Sequence, residues 1–196
     1  MIIPRWEWRT FGQGSFGGPE EKIKSHKEAG FKKSEEKYIL SKLSGENVKI
    51  RNDLIDIKSL QQINGDKLEQ WFPAMKESFP ISKCKLEVMF HSFFKVNPPV
   101  FAQDNYTYDE FLEKVIAPCN DLLVVDVYKE RYGYEINQAT VEIAETKFNG
   151  VPMRTICVEH TDPENVMATV RQLGLYGLEN INYINAMKTA VGMGKE

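Results

Sequence analysis

The sequence predicts an α+β fold: an antiparallel, eight-stranded, closed or nearly closed β-barrel (a tunnel) with flanking helices, in one domain spanning residues 1–196. Three observations predict it. Apolar and charged side chains alternate with period two in eight segments, and strands place such sets on opposite faces. Several connections between these segments are short, which favours antiparallel neighbours. The charged faces are mostly cationic, as if the strands shared one interior, and a closed barrel receives every second side chain inside.

The elements follow in chain order. Arg5-Trp6-Glu7-Trp8-Arg9 reads as a strand with Arg5, Glu7 and Arg9 on one face and Trp6, Trp8 and Thr10 on the other. Gly12 to Gly18 contains GxGxxG before a polar helix near 19–27. No parallel βαβ unit follows, so the glycines read as a flexible loop rather than a dinucleotide cradle. Glu35 to Lys42 is the second strand. NVKIRNDLIDIKSL, residues 47–60, is a strand pair turning at Asn52-Asp53. Lys49 and Arg51, then Asp56 and Lys58, take the charged face; Val48, Ile50, Ile55 and Ile57 take the apolar one.

Asp66 to Glu77 is expected to be a helix bent at Pro73, with Trp71, Phe72 and Met75 in the core. Ser82 to Val96 alternates as a strand. Lys83, Lys85, Glu87, Met89 and His91 share one face; Cys84, Leu86, Val88 and Phe90 share the other. Cys84 is therefore expected to be buried. His91 has no second His or Cys at metal-ligand spacing. After a loop at 97–107, Tyr108 to Ala117 is a short helix capped by Thr107 or Asp109.

Leu122 to Glu135 is a long strand, apolar at first, then with Lys129 and Arg131 on one face. Ala139 to Phe148 places Glu142 and Glu145 on opposite faces. Asn149-Gly150 turns it into a strand from Met153 to His160 that carries Glu159. Asp162 caps a helix, with Pro163 in its first turn, Val166, Val170 and Leu173 as its stripe, and Gly174 at its end. A last helix at 182–191 turns Tyr183, Ile184 and Met187 inward, with Lys188 and the tail expected in solvent.

Composition bounds the function. With 42% hydrophobic and 27% charged residues the chain can build a core, and a net charge of −3 argues against a general nucleic-acid or membrane surface. Cys84, Cys119 and Cys157 form no close pair, which argues against a disulfide framework or zinc knuckle and suits a cytoplasmic location. MIIPRWEWR does not read as a signal peptide, and no apolar run has the length of a membrane span.

Arg9, Lys49, Arg51, Lys58, Lys85, Lys129 and Arg131 come from five or six different strands. A cavity lined by them suits a triphosphate or polyphosphate, whose anionic oxygens each accept from an Arg or Lys donor. Glu7, Glu142 or Glu145, and Glu159 supply oxygen ligands of the kind Mg²⁺ or Mn²⁺ takes. That combination suits attack of water on a phosphoryl group.

In this order, Arg5-Trp-Glu7-Trp-Arg9, Lys49-Ile-Arg51, Asp56-Ile-Lys58, Lys129-Glu-Arg131, Ile143-Ala-Glu145-Thr through Cys157-Val-Glu159 and Arg171-Gln-Leu-Gly-Leu175 resemble the CYTH, or triphosphate tunnel metalloenzyme, superfamily over residues 4–190. The resemblance implies a metal-dependent hydrolase of triphosphate-containing or polyphosphate substrates. Glu7, Lys58 and Glu159 would be its catalytic residues, and Glu7, Glu142, Glu145 and Glu159 its metal-side carboxylates. The chain departs from the family in three places: Arg5 stands for the leading Glu, Arg9 for the Lys, and Cys157 for one Glu of the last acidic pair. These departures leave a non-catalytic polyphosphate- or nucleotide-binding module as the alternative, and the family also includes nucleotide cyclases. The expected partner is a small phosphate ligand rather than duplex nucleic acid or a membrane, with a homodimer left open.

Overall fold

A closed barrel leaves no strand edge unpaired, and five of its seven connections here are short turns between neighbouring strands. The computed structural model describes residues 3–193; the last residues of the expected solvent-facing tail lie outside that range. The strands are β1 (Trp6–Gly12), β2 (Glu28–Ser41), β3 (Asn47–Arg51), β4 (Leu54–Ile63), β5 (Glu69–Ser78), β6 (Ile81–Ser82), β7 (Asn105–Tyr106), β8 (Leu122–Ile136), β9 (Ala139–Phe148) and β10 (Val151–His160). The barrel runs β1-β10-β9-β8-β2-β3-β4-β5, with every pairing antiparallel, and β6 pairs separately with β7. The expected fold class is the one observed.

Turn chemistry sets much of this register. Asn52-Asp53, Asn137-Gln138 and Asn149-Gly150 all have positive φ at both residues, the geometry that matches the twist of a two-residue hairpin. They join β3 to β4, β8 to β9 and β9 to β10. The loop before α1 (Gly18–Lys24) is organised by Glu20, which accepts hydrogen bonds from the Ser15 hydroxyl and the Phe16 N–H. β2 then pairs with β3 and β8 rather than β1, so the GxGxxG segment sits outside any βαβ unit.

Two expected elements are corrected. Residues 66–77 are not a helix: Asn64 Oδ1 accepts from the N–H groups of Asp66 and Leu68, turning the chain into β5. Pro73 sits beside a register shift between Ile57 and Lys58, a bulge that tolerates its missing N–H. β5 then closes the barrel through Trp6↔Gln70 and Glu7↔Glu69. Of the residues expected in the core there, Trp71 is half-buried, Met75 packs on the core and Phe72 is exposed.

The strand expected over 82–96 is not formed: beyond Ser82 the chain is helix α2 (Lys83–Val88), continuing as π-type turns over Met89–Phe94. Leu86, Met89, Phe90 and Phe94 are buried, a helical stripe that the even spacing of Leu86 and Phe90 disguised as alternation. Cys84 is consequently exposed, not buried. Helix α3 (Tyr108–Glu110), continued by π-type turns over Phe111–Ile116, starts from a capping box between Thr107 and Glu110.

The barrel wall separates three apolar clusters. Val48, Ile50, Ile55 and Ile57 face outward under Phe90 and Phe94. Trp8, Ile143, Ile156 and Val158 face outward under α4 (Pro163–Leu173), which Asp162 caps and Gly174 ends at φ 78°. The third cluster fills one end of the interior. There α5 (Tyr183–Ala190) packs Tyr183, Ile184 and Met187 onto Tyr38, Leu40, Val125, Val127 and Phe148. Lys188 is not free in solvent: its Nζ donates to the Ser44 carbonyl at 2.8 Å. Among the described residues no helix is long and apolar enough to cross a membrane.

Candidate anion and metal site inside the barrel

Alternation along the barrel strands turns two sets of charges inward. Arg9 from β1, Lys49 from β3, Lys58 from β4, and Lys129 and Arg131 from β8 line a cavity of about 150 Å³. Glu7 from β1, Glu142 from β9 and Glu159 from β10 line it too. Three positions stand elsewhere. Arg51 is at a rim, 3.5 Å from Glu36 and beside a neighbouring groove. Glu145 faces outward and pairs with Arg154 at 2.8 Å. Lys85 lies on α2, paired with Glu77 at 2.6 Å. The structure thus places Glu142 rather than Glu145 in the cavity, and leaves Lys85 out because its segment is helical.

Glu36, Tyr38, Asn47, Trp71, Asn182 and Tyr183 also belong to the interior and escaped the sequence reading. Glu36 and Tyr38 share a face of β2 and were accessible to the same period-two count. Tyr183 was expected inward, but nothing in its local sequence says that it enters a barrel.

The electrostatics follow from burial. Lys129 Nζ donates to Glu36 Oε2 at 3.0 Å and to the Tyr38 hydroxyl at 2.8 Å, and lies 4.3 Å from the Tyr183 ring centroid. Burial lowers the Lys129 pKa to about 8; Glu36 opposes that shift, while Lys49 and Arg9 add to it. Burial alone would raise Glu36, but Lys129, Lys49 and Arg51 outweigh it and hold the carboxyl at about 2. Arg9 Nε donates to Glu7 Oε1 at 2.8 Å, and its guanidinium lies 4.7 Å from the Tyr183 ring centroid.

Glu7 and Glu159 stand directly opposite across the β1–β10 ladder. Burial, then the Glu7 charge, pushes Glu159 up to about 7. Glu7 stays below the usual carboxylate range, because Arg9 outweighs its burial. A stability effect follows. The folded state holds a proton on Glu159 that the unfolded chain gives up near 4.5, so folding binds the extra proton between about 4.5 and about 7. The stabilisation is present below that window and is lost as pH rises through it. Urea midpoints of the metal-free protein across this range should fall more steeply with pH for the wild type than for Glu159→Gln; parallel profiles would contradict the assignment.

Glu7, Cys157 and Glu159 each offer a ligand atom, all within 4.8 Å of one another. Two carboxylates and a thiol of this spacing form a donor set that fits a divalent cation.

Fold and site together define a class: an antiparallel eight-stranded barrel with a charged interior. No family model matches the chain, and no curated protein does. Solved structures do. One, from Bacillus halodurans and described as a proposed adenylate cyclase, is 14% identical, with a TM-score of 0.50, covering 94% of this chain and 98% of its own. Another, from Hippeastrum, is a proposed adenylyl cyclase reported to reveal a dominant triphosphatase activity. It is 10% identical, with a TM-score of 0.51, and the match covers 94% of this chain and 95% of its own. At these identities the likeness is one of fold, and the fold implied by the triphosphate tunnel resemblance is the fold observed.

Proposed function

We propose that the barrel interior binds the phosphate chain of a triphosphate or polyphosphate and hydrolyses it with a divalent cation. The observation that supports this reading is the convergence of five cations from four strands on one cavity with three carboxylates. Each anionic oxygen of a phosphate chain can accept from a Lys or Arg donor there, and the same donors offset charge that grows in the transition state. Lys58 is the most exposed of these cations, and its Nζ–H groups would meet a phosphoryl oxygen near solvent. Lys129 and Arg131 would hold the chain deeper. This ligand, rather than duplex nucleic acid or a membrane, matches a local cationic site on a chain of net charge −3.

The cation would be held by Glu7 and Glu159 with Cys157 beside them, and Glu142 lines the same cavity. When bound it supplies polarisation of a phosphoryl oxygen or activation of water, and the family resemblance implies Mg²⁺ or Mn²⁺ for that task. A second reading, a binding module without turnover, draws on the cations already set against the acidic pair. Arg9 is 2.8 Å from Glu7, and Arg5 is 3.9 Å from Glu159.

The test is phosphate release from inorganic triphosphate and ATP with and without divalent cations, with cyclic product measured in parallel. Metal-dependent release is expected. Thermal stabilisation by triphosphate without product would establish the binding module instead, and cyclic product from ATP would establish a cyclase. Neither release nor stabilisation would overturn both phosphate readings.

A further inference from the structure

β2 is longer than the strand that covers its second edge. β8 pairs with it from Glu28 to Ser41, whereas β3 pairs with it only at Lys37 and Tyr38. The stretch 28–35 therefore keeps one edge open, and among the described residues no other element hydrogen-bonds its backbone there. Its side chains are exposed except Ser34, which is half-buried. An open edge of this length is a template for another strand.

The ladder fixes which groups the edge offers. The Lys42 N–H donates to the Asp121 carbonyl at 2.9 Å, in register with the β2–β8 pairing. Residues of an antiparallel strand direct their backbone groups alternately to one neighbour and the other. Even-numbered residues from Gly30 onward thus face β8, and Phe31, Lys33 and Glu35 face the open edge. The same three side chains stand on the outer face of the barrel. Phe31 is 43% exposed, its ring centroid 4.9 Å from that of Tyr132. Lys33 pairs with Glu130 at 2.7 Å, and Lys37 pairs with Asp126. Glu35, between those pairs, has no ion-pair partner among the described residues, and neither has Lys27, which precedes the strand.

We propose that the open edge of β2 pairs antiparallel with the same edge of a second copy of this chain, about a two-fold axis at Phe31. A two-fold interface must be self-complementary, and edge-facing residues pair with edge-facing residues, so the axis falls on a residue. An axis at Lys32 sets two lysines opposite each other, which is destabilising. An axis at Lys33 or Ser34 drives the incoming strand against β3 at Lys37. An axis at Gly30 falls on the bulge between Glu28 and Gly30. The axis at Phe31 avoids all three. It brings the two Phe31 rings together beside the two Tyr132 rings, and it sets Glu35 opposite the partner's Lys27. The charges left without partners within one copy then meet across the axis. The paired edge lies outside the phosphate cavity, so the proposal stands independently of the phosphate reading.

The experiment is sedimentation velocity of the full chain without ligand, from about 1 μM to about 500 μM, the range in which a modest strand-pairing interface dissociates. A shift from monomer to dimer with concentration is expected. Glu35→Lys and Lys27→Glu should each weaken dimerisation at least about tenfold, because the axis repeats each change. The chain carrying both reversals should dimerise as the wild type does, since the exchanged charges face each other again. Phe31→Asp should leave a monomer throughout the range. None of these side chains is buried, so thermal unfolding should stay near that of the wild type. Should Phe31→Asp fail to fold, the two reversals and their combination still decide the matter. A monomer at every concentration, a dimer that Phe31→Asp or Glu35→Lys leaves unchanged, or a double reversal that fails to restore what the single ones lose would overturn the proposal.

Discussion

Glu36→Gln should cost the protein about 3 kcal/mol of stability, far more than its single lost charge would at a surface. The reason is Lys129, which is buried with Glu36 3.0 Å away. Removing one partner of a buried pair strands the other and typically costs about 3–5 kcal/mol. The lower end is expected because Lys129 already has a pKa near 8 and sheds its proton more cheaply than an ordinary lysine. In a chain of this size the loss corresponds to a fall in melting temperature of roughly 10 °C. Pairing the change with Lys129→Met should recover part of the loss, since the double variant no longer strands the Lys129 charge. Thermal and urea unfolding of the two single variants and the double variant read this directly. A loss below about 1 kcal/mol for Glu36→Gln would mean that the pair is more hydrated than its burial implies.

Glu7→Gln should remove metal-dependent phosphate release by about 100-fold or more, on the scale of losing one group that stabilises transition-state charge. Glu7 is the carboxylate at which the two halves of the site meet. It faces Glu159 across the ladder, shares the three-donor group with Cys157, and accepts from Arg9. The amide keeps the volume but loses the charge that attracts a cation. It also loosens Arg9, which then has Glu142 at 3.9 Å as its nearest remaining acid. Steady-state phosphate release at saturating metal separates the two effects. A fall in turnover marks the lost metal ligand, whereas a change confined to KM marks the freed Arg9. Unchanged turnover would place the metal away from Glu7.

The barrel was legible where alternation and turns agree. Val48, Lys49, Ile50 and Arg51 alternate up to a two-residue turn at Asn52-Asp53, and Ala139 to His160 alternates around Asn149-Gly150. That hairpin even carried an unused signal. Counting back from Phe148↔Val151 sets Cys157 opposite Glu142, which puts Glu142 on the inner face and Glu145 on the outer one. β5 was hidden because Pro73 and a cluster of large side chains imitate a bent helix, and only the need of β1 and β4 for a shared neighbour resolves it. Lys85 was misplaced because a helix with buried residues four apart passes an even-spacing test. The Glu36–Lys129 pair joins residues 93 apart in sequence, so neither local segment announces it. Tyr183 enters the barrel because α5 folds back over the end lined by Leu40, Val125 and Phe148, a tertiary choice with no local pattern.

The most direct test of the account is a structure of the protein with a non-hydrolysable triphosphate and a divalent cation. The phosphate chain is expected inside the barrel among Lys49, Lys58, Lys129 and Arg131, with the cation against Glu7 and Glu159. A phosphate chain seated instead in the outer groove beside Lys147 and Arg154, with the interior unchanged, would contradict it.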